Sequence, residues 1–186
     1  MTNLKNYLEA KVNSRGNKNL NYLSSFFSET ELAILSNKTI SIVGTNGKSS
    51  TANNIAMLLK GLDKSYIAFT SPHLFDYKER MTAHKDLNFN EYIQYLENFE
   101  LKNNINLGYF ESTFLIAAKA FLHNDMDYFI CEAGIGGKYD TTSVIQSKTV
   151  VLTSIGLDHT DILGNTITVI LNPKINVSDN IDTLFV

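Results

Sequence analysis

The sequence predicts an α/β fold, a mostly parallel β-sheet with helices on both faces. Three observations predict it. Short β-branched and aromatic runs, "TISIV" (39–43), "SYIAFT" (65–70), "DYFICE" (127–132) and "TVVLTSI" (149–155), alternate with longer amphipathic stretches. The first run passes into the glycine turn "GTNGKSS" and then at once into a helical pattern. Apolar residues make up 44% of the 186 positions, enough for one ordinary core.

Each element follows in order. Residues 1–38 read as a helical segment packing on the domain, with Leu20, Leu23, Phe26 and Phe27 at helical spacing as core contacts. Residues 39–186 read as one α/β domain. After the "TISIV" strand, "SSTANNIAMLLKGL" continues as a helix that Gly61 stops. "SYIAFT" is a second strand, and "SPHLFDYKERM" reads as an irregular loop. "NFNEYIQYLENFELKN" and "ESTFLIAAKAFLHN" are helices; "DYFICE" and "TVVLTSI" complete the strands. The closing "NVSDNIDTLFV" has no clear period and reads as a frayed end or the start of something missing. No repeat, low-complexity tract or linker interrupts the chain.

Composition narrows the function classes. Net charge is −3 with no basic block, so a nucleic-acid footprint is absent. The N-terminal stretch has no apolar signal region, and no apolar run approaches membrane-spanning length. The single cysteine, Cys131, excludes an internal disulfide, fits a reducing compartment and reads as core. The expectation is a cytoplasmic monomer acting on small molecules, with no membrane or nucleic-acid partner.

Four segments carry chemistry. In Gly44-Thr45-Asn46-Gly47-Lys48-Ser49-Ser50, the two glycines enclose two residues rather than the four of a strict Walker A motif. The physics survives the shortening: glycines permit close backbone approach to a phosphate, Lys48 supplies charge, and a hydroxyl can reach a metal. In "FICEAGIGGKYDTT", Glu132 closes a buried strand. A carboxylate there sits where open α/β sheets bind ligands, and beside a bound nucleotide it would ligate Mg²⁺. In "TSIGLDHTDILG", His159 lies between Asp158 and Asp161 at another strand end, although imidazole is an unusual Mg²⁺ ligand. In "SPHLFDYKERM", Pro72 stiffens a turn bearing His73, Lys78, Glu79 and Arg80. His84 and His123 lack such context and read as surface residues.

These segments in this order resemble the folylpolyglutamate synthase and dihydrofolate synthase family, within the wider Mur ligase superfamily. The residues that carry the resemblance are "GTNGKSS", "TSPHLFDYKERM", "YFESTFLIAA", "EAGIGGKYDTT" and "LDHTDILGNTI", from about 39 to 174. The resemblance implies the ATP-binding domain of the P-loop type that forms the centre of a Mur ligase. It implies an ATP-dependent ligase that phosphorylates the carboxylate of dihydropteroate or a folate, then lets L-glutamate displace the phosphate to form an amide. It further implies ATP contacts from Gly44 through Ser50, and catalytic roles for Lys48, His159 and Lys174. One Mg²⁺ would be held by Glu132, His159 and a P-loop hydroxyl. The family's pattern puts that hydroxyl at Ser50, where a glycine usually fills the position held here by Ser49; strict Walker spacing favours Ser49. A second metal would be held by a carbamylated Lys174. Ser71, Pro72, His73 and Arg80 resemble the folate-side loop, and Phe110, Glu111 and Asp140 resemble pterin-side contacts.

Two departures stand out. The surroundings of Lys174 read "LNPKINV", and Pro173 disfavours helix at Asn172, so the helix that should carry Lys174 is expected to end early, leaving a solvated lysine as the competing reading. Family members also carry a carboxyl-terminal α/β domain, which is expected to be absent from this chain. The competing functional readings are an inert nucleotide-binding module, a Mur ligase acting on a cell-wall precursor, and a P-loop kinase.

Overall fold

The computed structural model describes residues 3–12, 19–157 and 166–186. Seven α-helices and six strands are found among them. The helices are α1 (Leu4–Lys11), α2 (Leu20–Ser24), α3 (Glu29–Lys38), α4 (Lys48–Gly61), α5 (Ile93–Asn103), α6 (Tyr109–His123) and α7 (Ile167–Ile175). The strands are β1 (Thr39–Val43), β2 (Tyr66–Phe69), β3 (Met81–Ala83), β4 (Tyr128–Glu132), β5 (Thr149–Leu152) and β6 (Thr183–Phe185). They form one sheet in the order β3-β2-β4-β1-β5-β6, parallel except for the β2–β3 pair. The expected mostly parallel α/β sheet is therefore the observed one.

Alternation along the strands sorts side chains between two helical layers. Ile67, Phe69, Phe129 and Cys131 join Phe114 and Phe121 of α6 in the larger core. Ile42, Tyr66, Ala68 and Ile130 meet Ala52, Ala56 and Leu59 of α4 on the other face. Helix α6 is buried almost all round, from Glu111 to Phe121, because α1 and α3 cover the side it turns away from the sheet. A helix apolar around its circumference is stable only inside such a layer. Its one lysine, Lys119, is neutralised by Glu31 and lies over the rings of Phe26 and Tyr95. Leu4, Tyr7 and Leu8 of α1 enter the same core. Cys131 is fully buried, as its context suggests, and burial pushes its thiol up.

Several sequence expectations need correction. Phe26 and Phe27 follow α2 in a turn rather than lying on it, although Phe27 is buried. Part of the "SPHLFDYKERM" loop is ordered: a 3₁₀ turn over Tyr77–Arg80 leads into β3. The carboxyl-terminal stretch is not frayed, since β6 pairs with β5 through Thr149↔Thr183, Val150↔Leu184 and Val151↔Phe185. Its three residues are all exposed, so no apolar pattern announces it. Finally, α7 runs through Pro173 and includes Lys174, which is 2% exposed. A proline here removes one helical donor and costs about 3 kcal/mol in an exposed helix. Burial of Ile170 and packing of Leu171 and Ile175 on the β5 side offset it.

All parallel strands end at one edge. The connection leaving β1 runs to β2 on one side, while that leaving β4 runs to β5 on the other. The crevice between β1 and β4 is thus a topological switch point, the place where open sheets of this kind hold ligands.

Candidate functional site

The loop after β1 enters that crevice. Gly44 has φ 149°, and a Cβ there would fall 2.1 Å from the Thr153 hydroxyl, so only glycine fits. The loop is stitched to the segment after β5. The Thr45 amide donates to the Ser154 carbonyl (2.7 Å), the Asn46 amide to Ser154 Oγ (3.0 Å), and Thr153 Oγ1 to the Asn46 carbonyl (2.6 Å). Thr153 and Ser154 are contributors that motif reading alone did not single out. Gly47 then opens α4 in the left-handed conformation, and no side chain caps the helix. The amides of its first turn, at the positive end of the helix dipole, are donors available to an anion. Lys48 folds back over the loop, its ammonium 3.1 Å from the Gly44 carbonyl and 3.2 Å from that of Thr45.

Glu132 faces this loop from the end of β4, in register with Ile42. It is 1% exposed. Its carboxylate accepts from Ser49 Oγ (3.0 and 2.9 Å to the two oxygens) and from the Ser71 amide (3.1 Å). Burial raises its pKa above the ordinary carboxylate value; the Ser71 and Ser49 donors, Lys48 and Arg80 work against that rise. Among the described residues no lysine, arginine or histidine forms an ion pair with it. A buried carboxylate flanked by a hydroxyl and lacking such a partner is a donor set suited to Mg²⁺, which prefers oxygen. No cluster of three or more acidic, histidine or cysteine side chains able to hold a metal occurs among the described residues. Asp158, His159 and Asp161 lie outside them. Ser50 is exposed on α4.

Lys174 reaches the same loop from α7, donating to the Gly44 carbonyl at 2.7 Å. The solvated-lysine reading is therefore overturned. Its backbone is set by Gly137: a Cβ there would meet the Pro173 carbonyl at 2.4 Å, and the Lys138 amide donates to that carbonyl at 2.7 Å.

The loop after β2 forms the other wall. The Ser71–Pro72 peptide is cis. The Glu79 carboxylate accepts from the amides of Leu74, Phe75 and Asp76, which hold its pKa below the ordinary value. Arg80 Nε donates to His73 Nδ1 at 2.7 Å, so the neutral ring carries its proton on Nε2. The Arg80 guanidinium lies 5.0 Å from the Tyr109 ring centre, and burial lowers its pKa. Beside it, Phe110 packs edge-on against Phe69, and Glu111 is buried in the first turn of α6, where the dipole favours an acid. Asp140 is different in kind. The four hydrogen bonds that its carboxylate accepts among the described residues are all local, from the amides of Gly134, Ile135 and Thr142 and from the Thr142 hydroxyl. His84 and His123 are exposed, away from this edge.

A short phosphate-type loop, a buried acid on the neighbouring strand and a lysine returning from a later helix define one class of domain. The Mur ligase middle domain matches residues 42–183, and the chain belongs to that family. Within it, the similar curated proteins are folate enzymes. The chain is 37% identical over 166 residues to a dihydrofolate synthase/folylpolyglutamate synthase of Buchnera aphidicola, covering 85% of this chain and 38% of that protein. It is 34% identical to the Escherichia coli enzyme of the same description, covering 66% and 30%. Among solved structures, E. coli FolC in complex with ADP superposes with a TM-score of 0.81 at 27% identity, covering 94% of this chain and 43% of that one. A folylpolyglutamate synthase complex with AMPPCP and folate gives 0.78 at 27%, covering 92% and 44%. The chain thus spans less than half the length of these relatives, and the resemblance drawn from its motifs holds.

Proposed function

We propose that this chain is the nucleotide-binding part of an ATP-dependent ligase that adds L-glutamate to dihydropteroate, to folylpolyglutamate, or to both, through an acyl phosphate. The observation that carries the reading is the meeting of the uncapped first turn of α4, Lys48 and the buried Glu132 in one crevice. Family membership supports it, as do similar structures described as complexes with ADP or AMPPCP.

The residues divide the work as follows. The backbone from Gly44 to Ser50 orients the β- and γ-phosphates, and Lys48 leaves the Gly44 and Thr45 carbonyls to neutralise them. Glu132, with His159 and a P-loop hydroxyl, would hold Mg²⁺. When bound, the ion offsets charge shared between the β- and γ-phosphates. Lys174, carbamylated, would hold a second ion. Ser71, Pro72, His73 and Arg80 would present the substrate carboxylate, while Phe110, Glu111 and Asp140 would shape the pterin side. The substrate carboxylate attacks the γ-phosphorus and ADP leaves; the glutamate amine then attacks the acyl carbon and phosphate leaves.

Calorimetry with MgATP tests the binding claim. The unmodified chain should take up nucleotide, and Lys48→Ala should weaken uptake on the order of 100-fold, the scale for losing a close charge partner. Equal affinity in the two proteins would overturn the loop assignment. Incubation with ATP, Mg²⁺, glutamate and dihydropteroate, read by mass spectrometry, addresses the ligase step; glutamylated product supports it. A chain that binds MgATP but yields no glutamylated product under these conditions would support the inert nucleotide-binding reading.

A further inference from the structure

We propose that Tyr109 is a positioning residue, whose ring face holds the Arg80 guanidinium ready for an anionic ligand. The identity of that ligand, a substrate carboxylate, rests on the functional reading above, which gives Tyr109 itself no role. Three observations support the assignment.

The first is an unmatched charge. Arg80 is half-buried at the end of the 3₁₀ turn Tyr77–Arg80, and among the described residues it forms no ion pair. Burial works against its charged form, and Glu132 supports that form without pairing to it. The group placed over the cation is the Tyr109 ring, whose centre lies 5.0 Å from the guanidinium carbon. The second is the state of the donors. A guanidinium has five N–H groups. Nε–H goes to His73 Nδ1 at 2.7 Å, and neither Nη nitrogen donates to a partner among the described residues. A paired carboxylate would occupy those donors, whereas a ring face attracts the cation through its quadrupole and occupies none. The Nη–H groups therefore remain for a bidentate anion. The third is that one ring backs both members of the pair. Tyr109 also lies 6.1 Å from the His73 ring, at a tilt of 32°. As the first residue of α6, it ties this platform to a helix that the core encloses, while the loop after β2 carries the charge.

The chain has two arginines, Arg15 and Arg80, so a sample labelled with ¹⁵N-arginine has two Nε–H groups to follow by NMR, and Arg15→Lys assigns them. Tyr109→Leu and Tyr109→Met each keep apolar bulk and remove the ring face, while Tyr109→Phe keeps the ring. The ring-less variants should speed proton exchange at Arg80 Nε–H about tenfold, and Tyr109→Phe should stay within about twofold of the unmodified chain. Dihydropteroate titrated into the same samples should bind the ring-less variants about tenfold more weakly and Tyr109→Phe within about twofold. Thermal melts confirm folding. A role in packing alone would lower the melting temperature and leave exchange and affinity in the folded protein as they were.

Unchanged Arg80 exchange in the ring-less variants would overturn the proposal. So would equal losses in Tyr109→Phe, which would give the role to the hydroxyl. Dihydropteroate uptake of equal strength with and without the ring would overturn the link between Tyr109 and the ligand. The expected exchange pattern with no uptake by the unmodified chain would overturn the substrate assigned to Arg80, and would leave the positioning of its guanidinium standing.

Discussion

Glu132 and Asp140 sit eight positions apart in one segment, both are buried, and burial pushes both carboxyl groups upward in pKa. Their surroundings differ in a way that separates scaffold from site. Asp140 has its acceptor positions filled by three amides and a hydroxyl, so it closes the glycine turn and starts the 3₁₀ turn Thr141–Ile145. Glu132 is held by one hydroxyl and one amide, with Lys48 and Arg80 nearby but not paired to it. A fully satisfied buried acid specifies a fold, while a half-satisfied one keeps acceptor capacity for a further partner.

Four experiments can break or sharpen this contrast. The largest effect is expected from Asp140→Ala, which removes the acceptor of three amides, that of Thr142 buried and those of Gly134 and Ile135 partly so. Urea unfolding should show a loss of about 2–4 kcal/mol, and a loss below about 1 kcal/mol would place Asp140 outside the scaffold. Glu132→Gln should behave the opposite way, leaving stability within about 1 kcal/mol while reducing the Mg²⁺ enhancement of ATP binding at least tenfold. If the enhancement survived, Glu132 would not face the ion. Gly137→Ala comes next, because its Cβ would press on the Pro173 carbonyl; about 1–3 kcal/mol of destabilisation is expected from such overpacking.

The smallest effect is a pH dependence. Because burial raises the pKa of Glu132, the folded state binds its proton more tightly than the unfolded chain does. That contribution is fully present below the unfolded value near 4.5 and is lost as pH rises through the higher folded value. Glu132→Gln has no such proton to lose. Its melting temperature relative to the unmodified chain should therefore climb as pH rises through that window, and a falling difference would show that the donors outweigh burial.

Much of this was legible in the sequence because local pattern and site coincide. The strand–glycine turn–helix unit at 39–61 and Glu132 at a strand end follow from periodicity and punctuation alone. What escaped was fixed by long-range register. No local signal brings Ser154 onto Asn46 or Ser49 onto Glu132; those pairings exist only once β5 and β4 flank β1. Strand β6 escaped because a short exposed edge strand lacks an apolar face. Helix α7 was misjudged at Pro173 because propensity weighs the missing donor and cannot see the burial that offsets it.

Gly44's carbonyl oxygen is approached by two lysine Nζ donors, Lys48 from the start of α4 and Lys174 from the far end of the chain. A carbonyl has two lone pairs, and here each has its own donor. If an incoming polyanion draws Lys48 away, the second tether still holds the peptide in place. The hinge can surrender one of its moorings and keep its shape, so a movable charge sits on a backbone that need not move with it.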